Sequence, residues 1–160
     1  GIHCVAFGCR RTGIVLVRLR VRDKGRYKTV FRAADPDRYY LQIKSASWPP
    51  ALEDMAERGL GLKIENFALY GESYGISRDV VNLNTNLANG QLTEVEIVHI
   101  PGVSIEWKIN GESVGTQEDP DKIPSSITNA FLCPAIKNGV TGGVNAHQTL
   151  ASLSIWQSRL

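Results

Sequence analysis

Residues 93–117 read TEVEIVHIPGVSIEWKINGESVGTQ, three alternating apolar and polar runs joined by two turn signals. In the middle run Val103, Ile105, Trp107 and Ile109 fall on one face and Ser104, Glu106 and Lys108 on the other. That is the period of two that a half-buried strand requires. Asn110-Gly111 between alternating runs is the strongest short-range hairpin signal, because both central residues of a tight type I′ turn take positive φ. Pro101-Gly102 marks the turn before it. The stretch therefore predicts three consecutive antiparallel strands, with the face bearing Trp107 buried.

The same period runs outward in both directions. Toward the N-terminus, 14–22 (IVLVRLRVR) puts Val15, Val17, Leu19 and Val21 on one side and Leu16, Arg18, Arg20 and Arg22 on the other. Asp23-Lys24-Gly25 reads as a turn, and RYKTVFRA (26–33) as the returning strand of a hairpin, with Tyr27, Thr29 and Phe31 alternating against Arg26, Lys28, Val30 and Arg32. RYYLQIK (38–44) resumes a strand sharing Tyr39, Leu41 and Ile43, and LKIENFALY (62–70) reads as one strand with a bulge. A further strand is expected over 76–83, a polar loop over 82–90, a Pro/Asp loop over 118–124, and last strands over 130–137 and 149–156 around a glycine-rich turn at 138–145. One short helix is expected at 51–59, with Pro49-Pro50 at its start, Glu53 and Asp54 in the first turn and Gly59 as its stop. About ten short strands with regular turn signals predict an all-β fold, a two-sheet antiparallel β-sandwich or jelly roll, as a single domain over 1–160.

Composition agrees with that class. The chain has 160 residues, of which 42% are apolar and 21% charged, so it is far from disordered or fibrous sequences. Its uninterrupted apolar runs, 13–17 among them, are far short of the roughly 20 residues of a membrane-spanning helix. The net charge of +2 hides an asymmetry: residues 1–32 carry nine Lys/Arg against Asp23 alone, and the remainder is acidic. Three cysteines leave an odd count. Cys4 and Cys9 could close a short loop while Cys133 stays single, and burial of all three as small apolar residues fits equally well. His3, His99 and His147 are far apart without metal-ligand spacing, so neither a metal nor a cofactor is expected. The compartment stays open, with an extracellular, virion or cell-surface setting favoured over the cytoplasm.

The segments 94–126 and 130–160 resemble the concanavalin A-like lectin/glucanase (laminin-G-like) sandwich superfamily, and in particular its binding and structural modules in phage tail and adhesion proteins. Trp107, Asn110, Gly111, Val114, Pro124, Pro134, Ile136 and Gly139 carry the resemblance in that order. It implies a sandwich fold and a sugar-binding or structural role. Retaining glucanases of this fold need closely spaced acids of the Glu-x-Asp-x-Glu kind on one strand, which this chain lacks; the nearest approaches are Glu65 and Glu72, which bracket a strand, and Glu94 and Glu96, which read as a solvated strand face. Alginate-lyase-like jelly rolls carry a Gln-Ile-His triplet, whereas Gln42-Ile43 is followed here by Lys44. No histidine stands there to move a proton, so no catalytic residues are assigned.

A binding module needs less: aromatic rings for the apolar faces of pyranoses and polar groups for hydroxyls. The candidate ligand-binding residues are Arg18, Arg20, Arg22, Arg26, Lys28, Arg32, Tyr40, Trp48, Tyr74 and Asn86, with Tyr70, Asn84 and Asn89 beside them. The arginines would project about 6.8 Å apart along a strand and suit carboxylate, sulfate or phosphate groups. Without interleaved aromatics, nucleic acid fits less well than a glycan or other polyanion. The expected function is a non-catalytic lectin-like binding or adhesion module for a glycan, acidic if the arginine ribbon meets it. The alternatives are a structural or assembly domain of a virion, phage tail or surface protein, in contact with a neighbouring subunit or a second copy, and a polysaccharide-cleaving glycosidase or lyase.

Overall fold

The computed structural model describes residues 2–4, 17–34, 38–45, 57–137 and 147–158. They form twelve strands: β1 (Ile2–Cys4), β2 (Val17–Val21), β3 (Lys24–Ala34), β4 (Arg38–Ser45), β5 (Gly59–Glu65), β6 (Ala68–Tyr74), β7 (Arg78–Asn86), β8 (Thr93–Ile100), β9 (Ser104–Ile109), β10 (Glu112–Gln117), β11 (Ile127–Lys137) and β12 (His147–Ser158). A single 3-10 turn, Pro120–Lys122, is the one helical element among the described residues. The strands make two six-stranded antiparallel sheets, ordered β1-β12-β3-β8-β9-β10 and β2-β11-β4-β5-β6-β7. This is the all-β sandwich that the alternation requires.

The 93–117 stretch folds as its residues dictate. Ile109 pairs with Glu112 across Asn110 (φ 50°) and Gly111 (φ 83°), a two-residue turn with both central residues left-handed. Ile105, Trp107 and Ile109 face the core. Val103 does not join them: it is 59% exposed, because the backbone N–H of Val103 closes the preceding turn onto Ile100 O at 2.9 Å and the strand begins one residue later. Trp107 ties the two sheets together. Its indole Nε1 donates to Gly61 O at 2.8 Å on the opposite sheet, and the ring lies where a Cβ on Gly71 would be 2.6 Å away. Only glycine at 71 admits it.

Three local expectations are corrected. LKIENFALY is two strands, β5 and β6, joined by a turn at Asn66 (φ 48°) and Phe67 (φ 67°), rather than one bulged strand. Phe67 hides the turn in the sequence, since an aromatic seldom takes positive φ; here it packs against the core. The strand expected from Ile76 begins at Arg78 and continues to Asn86, so the polar loop is confined to 87–92. Its asparagines alternate outward from a strand, and Asn84 takes φ 48° with its N–H held by the Asn82 side chain at 2.9 Å.

The largest correction concerns the arginine ribbon. β2 and β3 do not pair. β2 borders β11 in one sheet and β3 lies between β12 and β8 in the other. Leu19 and Val21 enter the core from one side and Tyr27, Thr29 and Phe31 from the opposite side, so residues 22–23 cross between sheets. Alternation was the same as in a hairpin, but the two strands belong to different sheets. The expected helix at 51–59 lies outside the described residues over 51–56; Gly59 opens β5. The 138–145 turn, Trp48 and Cys9 also lie outside them.

Candidate functional site

Alternation in β4, β5 and β6 sends Tyr39, Leu41, Ile43, Leu60, Leu62, Ile64 and Leu69 into the core. The intervening residues occupy the outer face of the sheet in register. One row across the strands is Tyr40, Lys63, Tyr70 and Asn82; the next is Gln42, Gly61, Glu72 and Val80; the third is Lys44, Gly59, Tyr74 and Arg78. Beside them Arg38 faces Glu65, Ala68 and Asn86 in a fourth row.

These outer positions are unusually covered. Glu72 is 0% exposed and Gln42 2%, with Lys44 and Tyr40 also buried. A carboxylate withdrawn from water must be paired, and both Glu72 oxygens are: Gln42 Nε2 donates to Oε1 at 3.2 Å and an Arg78 terminal nitrogen donates to Oε2 at 3.2 Å. Gln42 and Glu72 are on strands separated by β5. They meet because Gly61 between them has no side chain; a Cβ there would sit 2.3 Å from Leu41 O. Arg38 bonds Glu65 at 3.1 Å, which raises the guanidinium pKa, and Lys63 approaches the same carboxylate at 3.7 Å. Lys63 also stands 5.8 Å from the Tyr70 ring centroid. The result is a face with buried hydrogen-bonding groups at its centre and two half-buried tyrosines, Tyr70 and Tyr74, beside them.

The sequence candidates distribute as follows. Tyr40, Tyr70 and Tyr74 come together on this face, and Asn86 stands exposed at its edge. Arg18 and Arg20 belong to β2 of the same sheet, Arg18 in register with Phe131, and Arg22 is exposed just beyond. Arg26, Lys28 and Arg32 are on the outer face of the other sheet. There Arg26 pairs with Glu96 and lies 4.6 Å from the Trp156 ring centroid, while Lys28 pairs with Glu94 at 3.3 Å. Thus Glu94 and Glu96 neutralise the neighbouring strand. Asn84 and Asn89 are exposed on β7 and in the loop after it. Sequence reading missed Gln42, Lys44, Glu72 and Arg78 as a group; their outward parity was visible, but their adjacency depends on strand order.

His99 is excluded as a base at this face. It points into the core, fully buried, and its Nε2–H donates to Pro124 O at 3.0 Å. Burial lowers its pKa to about 4, with the Pro124 carbonyl opposing that shift.

No family model matches the chain, and no curated protein matches it in sequence. Solved structures do match its fold. The galectin LEC-6 of Caenorhabditis elegans superposes with TM-score 0.60 at 14% identity, covering 94% of each chain. The sialidase CBM40 of Ruminococcus gnavus, bound to α2,3-sialyllactose, gives 0.59 at 12% identity over 86% of this chain and 77% of its own. An endo-β-1,4-glucuronan lyase of the fungus Trichoderma reesei gives 0.59 at 14% identity over 91% of this chain and 74% of its own. The fold is therefore the β-sandwich jelly roll shared by lectins, carbohydrate-binding modules and a lyase.

Proposed function

We propose that residues 1–160 form one domain of the concanavalin A-like superfamily that acts as a non-catalytic glycan-binding module, holding sugar on the outer face of the β4-β5-β6-β7 sheet. The buried Gln42–Glu72–Arg78 group flanked by Tyr70 and Tyr74 carries this reading. Tyrosine faces suit the apolar side of a pyranose, and the part-exposed Arg78 guanidinium, held from beneath by the buried Glu72 and Gln42, suits its oxygens. Arg38, Lys63 and Arg78 are part-exposed on this face, and guanidinium and ammonium groups suit the carboxylate of an acidic glycan. Two of the structural neighbours, a galectin and a carbohydrate-binding module bound to sialyllactose, support a sugar as the ligand class.

The test is a glycan array followed by calorimetric titration of the hits. Wild type is expected to bind uronate- or sialate-bearing glycans with an affinity that falls as salt rises, and Tyr74→Ala to weaken it about tenfold, the scale of a lost stacking and hydrogen-bonding contact. The doubly substituted Arg26→Ala/Lys28→Ala protein, altered on the opposite sheet, is expected to bind as wild type does. Loss of binding in that variant with none in Tyr74→Ala would move the site to the other face. The glucuronan lyase neighbour gives a second reading its specific form: release of unsaturated uronates from polyglucuronate would replace the non-catalytic reading.

A further inference from the structure

The two tyrosines beside the Gln42–Glu72–Arg78 group are too far apart to serve one sugar. Tyr70 and Tyr74 lie on the same side of β6 four residues apart, which is about 13 Å along the strand and well beyond the reach of one pyranose ring. Glu72 stands between them and is fully buried, so it offers no group of its own between the two rings. The neighbouring strand β7, the last of its sheet, spans the interval: Arg78 and Val80 are half-buried and Asn82 is exposed, in register with Tyr74, Glu72 and Tyr70 on the outer side. Across the strands both rows close. The Tyr74 row runs into the buried Gly59 and Lys44, and the Tyr70 row runs past Lys63 into the buried Tyr40.

Each tyrosine has its own cation. Tyr74 is in register with Arg78, whose guanidinium is held at 3.2 Å by Glu72 from beneath while its side chain stays 32% exposed. Tyr70 is in register with Lys63 on one flank and Asn82 on the other, and the Lys63 ammonium stands 5.8 Å from the ring centroid. At that end two cations share one carboxylate, since Glu65 meets Arg38 at 3.1 Å and Lys63 at 3.7 Å. The same recognition set therefore occurs twice along one exposed lane: a ring for the apolar face of a pyranose and a cation for a carboxylate, with an amide added at Asn82 for hydroxyls.

From this repeat, and on the glycan-binding reading of the outer face, we infer that Lys63, Tyr70 and Asn82 form a subsite separate from Tyr74 and Arg78, and that the ligand is a linear acidic oligosaccharide of at least three units lying along β6 and β7. One acidic sugar stacks on Tyr74 with its carboxylate on Arg78. The next passes over Val80. A third reaches Tyr70, with its carboxylate toward Lys63 and its hydroxyls toward the Asn82 amide. One or two units fill a single subsite, so affinity rises at the third.

The experiment is calorimetric titration of glucuronate, its disaccharide and its trisaccharide, and of the galacturonate series, against wild type, Tyr70→Ala, Lys63→Met and Tyr74→Ala. Wild type is expected to bind a trisaccharide about tenfold more tightly than a disaccharide, the worth of one added ring and charge contact. Tyr70→Ala brings that ratio to about one. Lys63→Met keeps the ring and most of the stem but removes the charge, and leaves a ratio of about three. Tyr74→Ala weakens all lengths together. A wild-type ratio near one, with Tyr74→Ala still weakening binding, overturns the separate subsite and leaves the outer-face site standing. Equal weakening of the monosaccharide and the trisaccharide by Tyr70→Ala does the same, because both rings would then touch one sugar. Absence of binding by every uronate overturns both readings. Where Tyr70→Ala unfolds at lower urea than wild type, Lys63→Met carries the test, and an unchanged tenfold ratio in it overturns the subsite.

Discussion

Acid is expected to destabilise this sandwich through one side chain, His99. The ring is fully buried between the sheets, its Nε2–H spent on Pro124 O and its Nδ1 without a hydrogen bond. Protonation puts a charge on that nitrogen in the core. The folded pKa of about 4 lies below the 6.5 of an exposed histidine, so between those values the unfolded chain binds more protons and stability falls as the pH falls. Linkage from these two values gives a loss of about 2 kcal/mol by pH 5 and about 3 kcal/mol by pH 4, against full stability above pH 6.5. That is a large share of the roughly 5–15 kcal/mol that holds a domain together. His99→Gln retains an N–H donor for Pro124 and cannot titrate in this range. Urea unfolding followed by the fluorescence of the buried Trp107, repeated from pH 8 to pH 4, should show the wild type losing stability faster than His99→Gln by these amounts. Parallel pH profiles for the two proteins would refute the reasoning. The effect should reach the β4-β5-β6-β7 outer face: the segment holding Pro124 also holds the turn between Tyr74 and Arg78, through Asp121 O to the N–H groups of Ile76 (2.7 Å) and Ser77 (3.2 Å) and Lys122 Nζ to Ser77 Oγ (2.7 Å).

Two glycines separate packing from backbone strain. Gly71→Ala drives a methyl group to 2.6 Å from the Trp107 ring and should cost roughly 1–3 kcal/mol of overpacking, read as a fall in Tm of about 2–4 °C per kcal/mol. Gly111→Ala meets nothing within 4 Å but must hold φ at 83°, so its cost should be about 1 kcal/mol of backbone strain, measured by the same calorimetry and smaller again in Gly111→Asn. A Gly71→Ala protein as stable as wild type would mean that Trp107 does not pack on β6.

What could be read from the sequence follows the range of the interactions involved. The Asn110-Gly111 hairpin and the burial of Trp107 depend on neighbours within a few residues, and both were legible. The Asn66-Phe67 turn is just as local but was hidden by an aromatic at a left-handed position, a choice explained only by the core that Phe67 touches. The pairing of β2 and β3 failed for a different reason. Alternation specifies which side of a strand is apolar but not which sheet the strand joins, and a hairpin and a crossing between facing sheets write the same pattern. Tyr40 and Tyr74 were found singly, as aromatics on strands. Their company with Gln42, Glu72 and Arg78 required the order β4-β5-β6-β7, which no local signal carries.

The two exteriors of the sandwich also use charge differently. On the β3-β8-β9 face Arg26 pairs with Glu96, Lys28 with Glu94 and Lys108 with Glu106, on the same or the neighbouring strand, and of these three carboxylates Glu96 alone is buried. On the β4-β5-β6 face the central ion pair is sunk to zero exposure at Glu72 and bridged across a strand by Gln42, over a glycine that cannot be enlarged. Desolvating a carboxylate in this way contributes little to stability compared with an apolar side chain of the same size. Its value is in geometry: Gln42 and Arg78 each hold one oxygen of Glu72, so the part-exposed Arg78 guanidinium is fixed in place and its ordering cost is met on folding. A surface needed only to keep the sheet in solution would gain nothing from that arrangement, whereas a surface that has to hold a guanidinium at one point gains a fixed direction for it.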